Sequence, residues 1–239
     1  MKNLRIILIA LISFGISSCL NGQFRKTVYG NGKVITEERE AFNVSGIKVS
    51  TGIDVFLSQG DKPGLKVEAD ENLQEYILTE IKGGVLHVHT DANIRRAKSK
   101  KVYVTLTDIN SISTSSAGDV IGASPVTTEN LILSASSAGD IKLDIYAEKI
   151  DVKISSSGDI TLSGETDKLF ADLSSAGNLN AYNLKAREAD VSASSAGDAD
   201  IFVTETLRAR SSSAGDINYK GNPTYLDAHS SSAGGIQKR

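Results

Sequence analysis

The sequence predicts an all-β fold: a single-stranded parallel β-helix of about 19 residues per coil, preceded by a β-rich N-terminal cap. Three observations carry this. The tetrapeptide Ser-Ser-(Ala or Ser)-Gly occurs seven times, ending at Gly118, Gly139, Gly158, Gly177, Gly197, Gly215 and Gly234, at intervals of 18 to 21 residues. Apolar residues alternate with polar ones on either side of it, as in Leu131, Leu133 and Ala135 before and Ile141, Leu143 and Ile145 after. That period of two belongs to a strand, not a helix. The residue following each glycine is Asp119, Asp140, Asp159, Asn178, Asp198 or Asp216, with Gly235 closing the series. Near-constant recurrence at this length marks a solenoid.

Other repeat architectures fit less well. Helical repeats need apolar spacing near 3.6 and run longer. The L-x-x-L-x-L-x-x-N pattern of leucine-rich repeats is absent, and Ca²⁺-binding nonapeptide coils would show Gly-Asp turns about twice as often. An antiparallel sandwich would give the alternation without requiring so constant an interval. At about 4.8 Å per coil, seven coils make a rod about 34 Å long.

Taken in chain order, residues 1–18 read as a secretory signal: Lys2 and Arg5, then the apolar run "IILIALISFGI". "ISSC" looks like a lipobox that would leave Cys19 as the lipid-bearing N-terminus; as the only cysteine, it has no disulfide partner within the chain. Residues 19–30 are polar and Gly-containing, suited to a tether. Residues 31–110 contain "FNVSGIKVSTGIDVFLSQG", "GLKVEAD", "GGVLHVHT" and "KVYVTLTD", which alternate as strands, and "ENLQEYILTEI", which predicts a short helix. This part caps or begins the rod, because a solenoid end is an exposed edge. "VSTGIDVFL" at 49–57 resembles a diverged repeat. Residues 111–239 form the coils, with charged "IQKR" blunting the last one. The formal charge of −3 becomes −5 once Lys2 and Arg5 leave with the leader, giving no electrostatic reason to expect nucleic acid.

The alternation passes through the insert. It predicts inward columns of serine (Ser116, Ser137, Ser156, Ser175, Ser195, Ser213, Ser232) and of glycine (Gly118, Gly139, Gly158, Gly177, Gly197, Gly215, Gly234). The serines would bond along the stack and the glycines would let opposite walls approach.

Candidate chemistry is sparse. Asp119, Asp140, Asp159, Asp198 and Asp216 would stack as like charges, which Ca²⁺ could relieve, but each coil offers one acid and no second ligand recurs. The plain reading is a solvated turn, with no metal and no cofactor. His87 and His89 share one strand face but lack a third zinc ligand. The serines come as seven equivalent copies without G-x-S-x-G, which is architecture rather than a nucleophile. "RRAKSKK" gathers Arg95, Arg96, Lys98, Lys100 and Lys101, a possible contact for lipid headgroups or an anionic polysaccharide.

The lipobox, "FNVSGIKVSTGIDVFLSQG", "GGVLHVHT" and the repeated "SSAGDI" together resemble the auto-transporter adhesin, head GIN domain family of Bacteroidetes-type bacteria, over about residues 40–235. The resemblance implies a β-helix of pectin-lyase-like shape without a catalytic set. The expected function is a non-enzymatic, exported lipoprotein of the cell envelope, anchored in the outer membrane through Cys19. It would act in adhesion or as a scaffold. The expected partners are the membrane, a surface glycan or protein, and a second copy through the flat Ser/Ala/Asp face. The rivals are a carbohydrate-active β-helix, which a cleft of clustered acids with an Arg or Lys would favour, and a periplasmic envelope regulator.

Overall fold

A computed structural model describes residues 25–41 and 43–239. The signal segment and Cys19 lie outside the described residues. Strands β1 (Thr27–Tyr29), β2 (Val34–Glu38), β3 (Gly46–Val49), β4 (Asp54–Gln59), β5 (Gly64–Asp70), β6 (Ile77–Lys82), β7 (Val85–Thr90), β8 (Asn93–Arg96) and β9 (Lys100–Leu106) build the N-terminal part. The repeats follow as β10 (Ser111–Thr114), β11 (Asp119–Gly122), β12 (Val126–Ala135), β13 (Asp140–Ile154), β14 (Asp159–Leu173), β15 (Asn178–Ala193), β16 (Asp198–Ser211), β17 (Asp216–Lys220), β18 (Tyr225–Ser230) and β19 (Gly235–Lys238).

From β10 onward every pairing is parallel and coil lies on coil, with about seven turns of roughly 19 residues. The β-helix expectation is borne out. Alternation does the packing: Leu131, Ile150, Leu169, Ala189 and Leu207 form one buried column, and Leu133, Val152, Ala171, Val191 and Ala209 another. A third runs through Ile141, Ile160, Leu179, Ala199 and Ile217. Burying a full aliphatic side chain stabilises by about 1.5–3 kcal/mol, and these columns supply the core without large aromatics.

The coil order in space departs from chain order. β3 and β4 are themselves a coil: β3 pairs with β10 on one side and β7 on the other, and β4 with β11 and β9. The diverged repeat at 49–57 is therefore the first coil, although it sits within the stretch read as cap. The true end coil is β7 and β9, and antiparallel strands seal its free edge, β5 and β2 beyond β9 and β6 against β7. The edge groups of β9 and β7 are thereby paired, and β2 and β6 become the outermost strands. The stretch expected as a helix over 71–81 is a 3₁₀ turn at Glu71–Tyr76 running into β6, with only Leu73 and Gln74 of the turn buried. A six-residue turn needs no amphipathic stripe, and Ile77–Lys82 pairs with β7 instead. Residues 27–29, expected within the tether, pair with β8.

Among the described residues, one fully buried side chain is polar without a partner. Thr114 is 1 % exposed, stacked between Val49 and Ala135, and its Oγ1 makes no hydrogen bond. Thr114→Val keeps the shape and removes the unsatisfied hydroxyl. We expect stability to rise by about 1 kcal/mol, read as a higher urea midpoint with an unchanged slope.

Candidate functional site

The repeated insert is a stack of reverse turns. In Ser155–Gly158 the glycine N–H donates to the Ser155 carbonyl at 3.1 Å, and Ser156 and Ser157 have φ of +52° and +58°. Two left-handed central residues closing such a bond make a type I′ turn. The same geometry recurs in all seven copies, with φ between +50° and +63° at the serine and the residue after it. Left-handed backbone costs a non-glycine residue about 1–2 kcal/mol, and stacking holds it in place. Ser155 N–H donates to Ala135 O at 3.0 Å, Ser157 N–H to Ser175 O at 3.1 Å and Asp159 N–H to Gly139 O at 3.3 Å. The middle bond runs to the following coil and the other two to the preceding one.

This geometry corrects one expected column. Ser116, Ser137, Ser156, Ser175, Ser195, Ser213 and Ser232 are exposed, and none of their hydroxyls makes a protein hydrogen bond among the described residues. Two successive left-handed residues swing the side chain outward, so simple alternation misassigns its face. The first six glycines of the series, Gly118 to Gly215, are buried. They serve close approach rather than positive φ: a Cβ at Gly158 would lie 2.7 Å from the Ala135 carbonyl carbon.

The acid column is longer than the repeats suggest. Registers run Lys101, Asp54, Asp119, Asp140, Asp159, Asn178, Asp198, Asp216 and Gly235. Partial burial, then the neighbouring carboxylate, raises the pKa of Asp119 and of Asp140. Asn178 interrupts the repulsion, its Nδ2 donating to Asp159 Oδ1 at 2.7 Å. Among the described residues no three His, Cys, Asp or Glu side chains converge as a metal ligand set, so the calcium alternative finds no second ligand. His87 and His89 share one face, with Glu80 Oε2 3.6 Å from His89 Nε2. Burial lowers both imidazole pKa values, with Glu80 opposing the shift.

The basic segment is divided by the fold. Lys100 Nζ donates to the Gly52 carbonyl at 2.6 Å and Lys101 lies 5.7 Å from the Phe56 ring centre, next to Asp54. Arg95, Arg96 and Lys98 are exposed and form no ion pair among the described residues.

A groove absent from the sequence reading lies at the second corner of the coils. It has a volume of about 590 Å³ and runs along the rod across β12 to β15. Thr128, Ala147 and Thr166 form its floor. Thr127, Tyr146, Glu165 and Lys185 stand on one rim, and Glu129, Glu148, Asp167 and Arg187 on the other. Thr166 is buried, its Oγ1 donating to the Lys168 carbonyl at 3.3 Å, while Tyr146 is 46 % exposed. Arg187 breaks the acid rim. Its Nη1 lies 3.1 Å from Asp167 Oδ1, and its Nε and Nη2 reach Glu205 at 3.0 and 3.2 Å. Both carboxylates hold the guanidinium strongly protonated, and Arg187 keeps Glu205 below the usual carboxylate range. The groove therefore offers one aromatic face, three threonines, an acidic stretch at Glu129 and Glu148, and a bidentate-capable guanidinium already engaged by its neighbours.

No curated protein matches the sequence. A "putative adhesin" from Bacteroides fragilis has a crystal structure with a TM-score of 0.82 at 25 % identity, over 89 % of this chain and 100 % of that one. A "putative adhesin" from Parabacteroides merdae gives 0.73 at 23 %, over 90 % and 99 %. A "putative lipid binding protein" from Parabacteroides distasonis gives 0.72 at 24 %, over 90 % and 100 %. The last two likenesses are of fold alone. The model of the family described as "Putative auto-transporter adhesin, head GIN domain" matches residues 43–223, and the chain belongs to that family.

Proposed function

We propose that the protein is a non-enzymatic adhesion module of the cell envelope, tethered by a lipid on Cys19, that holds an extended hydroxyl-rich chain in the corner groove. The groove carries this reading. It follows the rod axis, so a polymer lying in it meets equivalent rim positions on successive coils. Tyr146 supplies an apolar face for a sugar ring, and the threonines, Glu129 and Glu148 supply hydrogen-bonding groups around it. The adhesin family to which the chain belongs supports a role at the cell surface or envelope.

The clustered acids also suit the carbohydrate-cleaving rival, and the arrangement favours binding. Glu129, Glu148, Glu165 and Asp167 are all exposed, and Asp167 is committed to Arg187. A general acid for glycoside cleavage needs an apolar pocket that keeps its proton at neutral pH.

A glycan array probed with the mature chain and with Tyr146→Ala/Glu148→Gln tests this. We expect at least tenfold weaker binding of one polysaccharide class by the double variant, no change on adding Ca²⁺, and no shortening of the bound chain. Equal binding by both proteins would exclude the groove. Metabolic labelling with a fatty acid, lost in Cys19→Ala, tests the anchor.

A further inference from the structure

The two ends of the rod are finished differently. At the end where the chain enters, β2, β5 and β6 close the sheet edge. At the other end nothing among the described residues packs on β18 and β19. The buried columns run out there into Leu226, Ala228 and Ser230 of β18 and Ile236 of β19. Leu226 continues the column of Leu207, which is fully buried, yet is itself 47 % exposed. Ala228 and Ser230 are also exposed, although the residues beneath them, Ala209 and Ser211, are buried.

Edge strands are ordinarily protected by inward charges, proline or bulges. Here the four inward positions carry no charge or proline, and β18 pairs with β16 without a bulge. The basic C-terminal residues, expected to blunt this end, turn down the side of the rod: Lys238 Nζ donates to Asn222 Oδ1 at 2.6 Å and Arg239 Nε to Asn218 Oδ1 at 3.0 Å. The acid column also stops short, because Gly235 takes the place of an aspartate in the last coil.

We propose that this open coil is a self-association face on which a second copy of the chain stacks tail to tail, β18 antiparallel to the partner's β18 about a two-fold axis at Ala228. The side chains beside the axis select this occupant. Asp227 and His229 flank Ala228 on the outer face, with His229 Nε2 2.9 Å from Asp227 Oδ1 and Arg210 Nη2 of the coil beneath 2.6 Å from Asp227 Oδ2. A two-fold axis at Ala228 sets Asp227 opposite the partner's His229 and His229 opposite the partner's Asp227, so the strand is complementary to itself. The same axis sets Ala228 against the partner's Ala228 and Leu226 against the partner's Ser230, and it gives the free N–H and C=O groups of β18 antiparallel partners. A head-to-tail contact would instead set β18 against β2 or β6, the outermost strands of the entry end, without this self-complementarity.

Sedimentation velocity of the mature chain with Cys19→Ser tests the proposal. We expect a concentration-dependent dimer. Ala228→Lys puts two ammonium groups on the axis and His229→Asp sets carboxylates opposite one another, so each should weaken dimerisation at least tenfold. Ala228 and His229 are exposed, and unchanged circular dichroism and urea midpoints would establish that the variants fold. A monomer at every concentration, or a dimer indifferent to Ala228→Lys, overturns the proposal. Glycan binding at Tyr146 and Glu148 of β13, several coils below β18, should be the same in Ala228→Lys, which separates this result from the adhesion reading.

Discussion

Gly158→Ala is expected to destabilise the protein by about 3 kcal/mol, the upper part of the range for forcing an extra methyl into a packed interior. The added Cβ would lie 2.7 Å from the carbonyl carbon of Ala135, 2.8 Å from its oxygen and 2.9 Å from the amide of Ser136. These are backbone atoms, so no rotamer change can yield space. Nor can the backbone retreat, because Ala135 O accepts from Ser155 N–H and Ser136 N–H donates to Thr114 O. One residue earlier the sign reverses. Ser157 has φ of +58°, where glycine is unstrained. Ser157→Gly should relieve about 1–2 kcal/mol of left-handed strain and return about half of that as unfolded-state entropy. A net gain of about 0.5–1 kcal/mol is expected from urea midpoints. The first coil already carries this exchange: Gly52, at φ +67°, fills the position of Ser157, and buried Ile53 fills that of Gly158. If Gly158→Ala were neutral, or Ser157→Gly damaging, the division of roles between the two positions would be wrong.

These turns also mark how far the sequence could be read. Strand identity, coil length and the buried glycine column follow from period and spacing, because alternation holds wherever the backbone is extended. It fails across two left-handed residues, and Ser-Ser-Ala-Gly conceals them: a type I′ turn normally announces itself with Asn or Gly at its centre, whereas here the glycine stands one place later. The facing of Ser137 and its counterparts was therefore not legible. Nor was the spatial order of the first coil, since "VSTGIDVFL" resembles a repeat but nothing local says that β7 and β9 will lie beyond it. The corner groove had a signal that went unused. Glu129, Glu148, Asp167, Arg187 and Glu205 follow one another at 19, 19, 20 and 18 residues, the same intervals as Gly139 to Gly215. A charged column locked to the coil period, broken once by an arginine, identifies the second corner as surely as the glycines identify the first.

Replacing Asp119, Asp140 and Asp159 together by Asn is expected to stabilise the protein by about 1–2 kcal/mol at pH 7 and low salt. Registers place Asp54, Asp119, Asp140 and Asp159 in one file, so three like-charge contacts disappear, each costing about 0.2–1 kcal/mol. Asn178 shows what replaces them, an amide donating to the carboxylate of the preceding coil at 2.7 Å. The sign with pH follows from the raised pKa values of Asp119 and Asp140, caused first by burial and then by the adjacent carboxylate. Between the unfolded carboxylate range, about 3.9, and those raised values, the folded wild type holds more protons than the unfolded chain. Its stability from these groups is greatest in acid, falls as pH rises through that window and is level above it. The triple variant lacks this dependence, so its advantage should shrink as pH falls from 7 towards 4. The advantage should shrink in 1 M salt as well, where the screening length drops to about 3 Å. Urea midpoints of both proteins across that pH and salt range measure it. A file of carboxylates holding a cation would give the opposite result, with the triple variant less stable at pH 7 and insensitive to metal. Stabilisation that fades in acid and in salt would instead mean that the ladder repels itself and is kept in register by the turns beside it.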